Sequence, residues 1–266
     1  MHDKLAELQG AVWNYYESHR RPMKWRDEIH PYWVLVSEIM LQQTQVPRVQ
    51  VKFEEFIDAF PSFEALANAS LAEVLQVWQG MGYNRRGKFL WQTAQRVVEE
   101  YNGVLPGDPK ALETLPGIGA ATAGAIACYA YNKPTTFIET NVRRVFLYHL
   151  FPGQEGVHDR ELMPWITKVV PQDRPRDWYY ALMDYGTYLK KIVPNPNRKS
   201  KHYTKQSKFE GSNRQVRSRI IKELLKSPQT QESLEGIIGD DRVAQNIDAL
   251  LKEGMICSQD QLLRIA

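Results

Sequence analysis

The stretch Leu115-Pro116-Gly117-Ile118-Gly119, running directly into Ala120-Ala121-Thr122-Ala123-Gly124-Ala125-Ile126, constrains this chain more than any other. Two glycines flanking one residue permit a tight hairpin, and the small residues after it open straight into a helix. Such a turn gathers backbone N–H donors into a concavity at a helix N-terminus, a ready seat for phosphate. Residues Leu112 to Pro116 read as a short helix before the turn and Ala120 to Tyr131 as a second after it. Twenty-two residues beyond Gly117, the string Glu139-Thr140-Asn141-Val142-Arg143-Arg144-Val145 begins another helical segment, with a carboxylate at its mouth and two arginines behind.

Elsewhere apolar residues recur every three to four positions, as in Leu35, Ile39, Val46 and Val49, or Leu71, Val74, Leu75 and Trp78. Helices therefore dominate, and strand-like alternation is scarce before residue 255. The predicted organisation is an α-helical body over 1–193, a basic linker over 194–211 and a small domain over 212–266. In that last part Val216, Ile220, Ile221 and Leu224 mark one helix, Leu234, Ile237 and Ile238 a second, and Val243, Ile247, Leu250 and Leu251 a third. Two short strand-like pieces follow, around Ile256 and Leu262-Leu263, which suggests a winged helix. Its third helix sets Arg242 and Lys252 against Asp240, Asp241, Asp248 and Glu253, a charge pattern better suited to packing or protein binding than to entering a DNA groove.

With 266 residues, 43% hydrophobic and 24% charged, the chain can build one large core or two unequal domains. Residues Leu5 to Tyr16 place apolar side chains at helical spacing and no apolar run is long enough to span a bilayer, so no membrane partner is expected and the cytoplasm, close to the nucleoid, is the expected location. Cys128 and Cys257 are the two cysteines, too few for a disulfide framework or a four-cysteine metal site. The net charge of +3 says little, but Lys190 to Lys208 holds seven Lys or Arg and no acid, which suits phosphate contact.

These strings, with Ser37-Glu38-Ile39-Met40-Leu41-Gln42-Gln43-Thr44-Gln45-Val46, Gly80-Met81-Gly82-Tyr83-Asn84-Arg85-Arg86 and Met183-Asp184-Tyr185-Gly186 in the same order, closely resemble the helix-hairpin-helix DNA glycosylase superfamily. The resemblance covers about the first 190 residues and narrows to its MutY-type adenine DNA glycosylases. It implies an all-α, two-lobed glycosylase fold, with one lobe over 29–134 and the other formed by 1–28 with 135–193, followed here by the winged-helix-like domain. The implied partner is double-stranded DNA carrying a mismatch or lesion, bound by a monomer.

Cleaving the bond between a base and sugar C1′ passes through an oxocarbenium-like state, which calls for an acid to protonate the leaving base and a carboxylate to face the cation. The resemblance assigns these roles to Glu38 and Glu139, with Asn141 beside the latter. Glu38 lies between apolar Val36 and Ile39, where partial desolvation would favour its protonated form. Glu139-Thr140-Asn141-Val142 stands where the family carries Asp-Gly-Asn-Val. One extra methylene shifts the carboxylate, so either the pocket has moved to suit or activity is reduced.

Relatives that also cut the backbone place a lysine where this chain has Ala121, so a monofunctional enzyme without lyase activity is implied. Gln43 and Tyr83 match inserted wedge residues, and Gln42 and Thr44 lie beside the orphaned base. Gly117, Gly119, Arg143, Lys199 and Lys201 are the expected phosphate contacts. Trp25 and Arg26 match the base pocket, where Tyr180 replaces the usual Gln or Glu, a change of donors, acceptors and shape that loosens base identity. The family's iron–sulfur ligands fall on Lys190, Asn197, Ser200 and Gln206, so no cluster and no required cofactor is expected; a Na⁺ or K⁺ on the carbonyls of Glu113, Leu115 and Ile118 is implied. Adenine is the first expected target, a mispaired or damaged pyrimidine (uracil, thymine, oxidised cytosine) the alternative, and a non-catalytic DNA-binding protein the reading from another class.

Overall fold

A computed structural model describes residues 2–266 of the chain. Its helices are α1 (His2–His19), α2 (Lys24–Asp27), α3 (Pro31–Leu41), α4 (Val46–Ala59), α5 (Phe63–Asn68), α6 (Leu71–Val77), α7 (Arg85–Tyr101), α8 (Pro109–Glu113), α9 (Ala120–Tyr131), α10 (Thr140–Leu150), α11 (Asp159–Val169), α12 (Pro175–Ile192), α13 (Asn213–Leu224), α14 (Gln231–Ile238) and α15 (Val243–Lys252). A 3₁₀ turn covers Pro196–Lys199, and β1 (Ile256–Gln259) pairs antiparallel with β2 (Leu262–Ile265). The fold is thus helical with one small hairpin, as the apolar spacing indicates. No helix among the described residues is long and apolar enough to cross a membrane.

The chain divides into two compact units. The first comprises Met1–Val34, Pro106–Thr114 and Ile118–Lys205; the second comprises Leu35–Leu105, Leu115–Gly117 and Gln206–Ala266. These limits differ from the lobes read off the sequence, chiefly because α9 builds the first unit's core.

In the first unit, α1 turns Leu5, Leu8, Val12 and Tyr16 inward on one stripe, joining α9, α10, α11 and α12 in a single apolar cluster. The small residues of α9 let its neighbours come close: a Cβ on Gly124 would sit 3.2 Å from the Phe137 side chain. The same economy joins α10 to α12, where a Cβ on Gly186 would lie 2.7 Å from the Asn141 Cβ.

The second unit has well-marked helix starts. Ser62 caps α5, and Ser70 with Glu73 forms a reciprocal capping box on α6. Its C-terminal part does not fold around a private core. Val216, Ile220 and Ile221 of α13, Leu234 of α14 and Ile247 of α15 share one cluster with Leu71 and Leu75 of α6. Lys88 of α7 donates to the carbonyls of Glu253 and Gly254, satisfying groups that the end of α15 leaves open.

Two expectations are corrected. The helix before the hairpin runs Pro109–Glu113, not Leu112 to Pro116: Asp108 caps it by accepting the Ala111 N–H at 3.1 Å, Pro109 fixes its first turn, and Pro116 disfavours helical backbone at Leu115. The linker expected over 194–211 is structured in its first half. Pro196, Asn197 and Ser200 are buried, and Val157 exchanges backbone hydrogen bonds with Lys199 and Lys201, whereas residues 201–211 are exposed. Prolines and asparagines that look like linker composition here build a tight turn.

Candidate DNA-repair site

Glu139 is the N-cap of α10. Its Oε1 accepts the N–H groups of Asn141 (2.5 Å) and Val142 (2.8 Å), two of the donors a helix start leaves unpaired. Its Oε2 accepts from Asn141 Nδ2 at 3.5 Å. Burial pushes this carboxyl above the usual carboxylate range, while the two N–H groups and the charges of Arg144 and Arg143 pull the other way. Asn141 Oδ1 accepts from Arg144 Nη1, which also donates to the Gly186 carbonyl (2.8 Å). Asn197 Nδ2 donates to the Thr140 carbonyl at 2.9 Å, tying the start of the basic segment to this turn.

The hairpin's exit lies in the first unit too. Gly119 caps α9 without any side-chain acceptor, and Gly119, Ala120 and Ala121 are exposed, so the N–H groups of this helix start face outward. Gly117, in the second unit, has φ of 74°, and a Cβ there would come within 2.8 Å of the Phe89 ring. Both backbone conformation and space therefore require glycine.

The base-pocket candidates Arg26 and Tyr180 are brought together, the guanidinium 4.4 Å from the ring centroid. Tyr180 also stacks on Tyr129, 4.6 Å away and within 7° of parallel. Trp25 is buried on α2 beside Arg26. Asp184, fully buried on α12, accepts from the Arg21 N–H (3.0 Å), Arg21 Nε (2.6 Å) and Arg26 Nη1 (2.9 Å). Its carboxylate thus pins residues 21–26 to α12, a structural task that the sequence motif does not reveal.

Two phosphate candidates make contacts within the protein. Arg143 gives both arms of its fork to Asp159 at 2.7 Å, and Lys199 donates its ammonium to the Phe151 carbonyl at 3.2 Å. Arg143 thus carries a carboxylate partner, whereas Lys199 keeps its charge and two further N–H groups beside that one contact. Lys201 is exposed, as are Lys205 and Lys208.

The second unit carries Glu38, half-buried on α3, and the wedge candidates. Gln43 (φ 56°) and Tyr83 (φ 47°) both adopt left-handed backbone, costly for non-glycine residues and typical of functional loops. One buried guanidinium sets both loops. Arg86 Nη1 donates to the carbonyls of Ile39, Met40 and Gln42, and Nη2 to those of Met81 and Gly82 and to Thr44 Oγ1. Without a carboxylate partner, burial pushes its pKa down to about 10. Sequence alone marks Arg86 as a basic loop residue. Its role as the joint between loops could have been suspected only from the run of exposed carbonyls that two adjacent turns must leave.

Tyr83 Oη accepts from Gln206 Nε2 (2.7 Å) and Arg214 Nη1 (2.8 Å), two contacts that nothing in the sequence motifs signals. Of the positions aligned with cluster ligands, Asn197 and Gln206 are engaged in the bonds above and Ser200 is buried in the turn. With oxygen and nitrogen groups at all four, these residues do not fit an iron–sulfur cluster.

Residues 36–168 match the HhH-GPD superfamily of base excision DNA repair proteins. The chain is 32% identical to an adenine DNA glycosylase of Mycolicibacterium smegmatis over 91% of its own length and 90% of that protein's. It is 42% identical to an adenine DNA glycosylase of Mycobacterium tuberculosis over 53% of its length, there spanning 46% of the relative. Among solved structures, a thermostable thymine-DNA glycosylase superposes with a TM-score of 0.64 at 25% identity, over 75% of this chain and 91% of that one.

Proposed function

Because the chain belongs to the HhH-GPD superfamily of base excision DNA repair proteins, we propose that it is a monofunctional DNA glycosylase that extrudes a mispaired or damaged base and hydrolyses its N-glycosidic bond, with adenine as the preferred base. The observation that carries this reading is the pair of strained residues Gln43 and Tyr83, at the two wedge positions and held by the single buried Arg86. Strain of this kind persists where the surroundings over-determine it, and a side chain that must replace an extruded base has to be set in advance.

In the proposed reaction Glu38 protonates the departing base as the C1′–N bond electrons leave with it. The Oε2 of Glu139 faces the resulting cation, and water adds at C1′, returning a proton to a carboxylate. Ala121 offers no amine, so no Schiff base forms there and the abasic strand stays intact. Asp184 is fully engaged by Arg21 and Arg26 and takes no part in the chemistry.

A second reading, release of thymine or a damaged pyrimidine, is favoured by Tyr180: its ring is taken up by Tyr129 and Arg26, and it offers no amide or carboxylate to an adenine edge. Single-turnover assays on duplexes carrying adenine, uracil, thymine, hypoxanthine or oxidised bases in every pairing decide between them. The expected result is adenine release leaving an unbroken abasic strand that borohydride does not cross-link to the protein. Release of a pyrimidine alone selects the second reading, and tight binding without any release would make the protein a non-catalytic DNA binder.

A further inference from the structure

Tyr83 is held at both ends. Arg86 fixes the backbone before it through the carbonyls of Met81 and Gly82, and the hydroxyl accepts from Arg214 and Gln206. The Arg214 guanidinium carbon lies 4.9 Å from the ring centroid, and its other arm, Nη2, donates to the Ser207 carbonyl at 2.6 Å. Arg214 is itself on firm ground, in the first turn of α13, whose Val216 and Ile220 enter the apolar cluster of α6. Around the ring, by contrast, the protein is not filled. Tyr83 lines two cavities of about 350 and 720 Å³, and Arg214 and Ser218 line both. The ring therefore owes its position to polar contacts at its tip more than to close packing, and those contacts come from residues after 205.

We propose that Arg214, with Gln206, is a positioning residue for the wedge: the C-terminal part of the chain sets Tyr83 in the posture from which it enters DNA. This inference rests on the glycosylase reading above. A tyrosine released at its hydroxyl regains side-chain freedom that must be lost again when it inserts, so the effect falls on the rate of base extrusion.

The test uses the full chain and a duplex with 2-aminopurine beside the target base, whose fluorescence rises as the target leaves the stack, followed by stopped flow and by base release in single turnover. Arg214→Met and Tyr83→Phe are each expected to slow extrusion about tenfold or more, the scale of the hydrogen bond to a charged donor that both lose. Arg214→Lys should recover part of the rate. The double variant Arg214→Met/Tyr83→Phe should lose much less than the product of the two single losses, since both remove the Arg214–Tyr83 hydroxyl bond. Affinity for undamaged duplex should fall no further in Arg214→Met than in Arg219→Met, which removes an equal charge from an exposed site on α13. Should Arg214→Met melt early, the Phe variant, which loses one oxygen, still decides the matter. Arg214→Met extruding at the wild-type rate or faster, or additive losses in the double variant, would overturn the proposal while leaving the glycosylase reading intact. Wild-type protein that neither raises the fluorescence nor releases any base would remove that reading and this inference together.

Discussion

One methylene separates Glu139 from the aspartate of the family string, and the structure shows where that length goes: the side chain curls back to cap its own helix, spending one oxygen on the N–H groups of Asn141 and Val142. Glu139→Gln keeps an oxygen for that cap and removes the charge. It should leave duplex binding near normal and lower base release by about two to three orders of magnitude, the scale seen when one transition-state-stabilising group is lost, as single-turnover kinetics will show. Burial raises the Glu139 carboxyl from its ordinary value, against the pull of the Asn141 and Val142 N–H groups. Base release should accordingly climb with pH through a shifted acid limb, and a limb at the usual glutamate value would mean the carboxylate is more solvated than its surroundings indicate. The sequence identified the residue and its departure from the family. It could not show the curl, which depends on side-chain torsions and on which helix donors stand open. Asp184 was opaque for the same reason: its partners Arg21 and Arg26 lie more than 150 residues away along the chain.

At the level of elements, the Gly-x-Gly turn with the small residues after it places α9 at Ala120–Tyr131, and the carboxylate of Glu139 marks the mouth of α10. The start of α8 escapes that reading because the decisive signal there is local, an aspartate followed by proline. The basic segment shows the limit of composition. Its first half is tied down by Asn197 on Thr140 and by the backbone of Val157, and Lys199 touches the Phe151 carbonyl, whereas Lys201, Lys205 and Lys208 lie on the exposed stretch that follows. Neutralising Lys201, Lys205 and Lys208 together should weaken binding to every duplex alike and reduce the slope of log affinity against log salt by about two to three, measured by anisotropy titration. A change confined to lesion-bearing duplex would mean that the segment reads DNA instead of gripping its backbone.

Over the whole molecule, the sequence conveyed the succession of helices and the closing hairpin but not that the last sixty-odd residues share a core with α6, since Leu71 and Leu75 look like any other amphipathic stripe. A chain ended at Lys205 would uncover both leucines. It should lose about 3–6 kcal/mol of stability by urea denaturation, or bind a hydrophobic dye while still folded. The two units are each assembled from three separate stretches, and α1 packs against α12, about 155 residues further along. At ribosomal speeds of roughly 5–20 residues per second, the apolar stripe of α1 is not fully covered until α12 emerges, on the order of 10–30 s later. Slowing translation between residues 20 and 175 should increase the fraction of nascent chains lost to proteolysis before the fold can close, measured by pulse-chase.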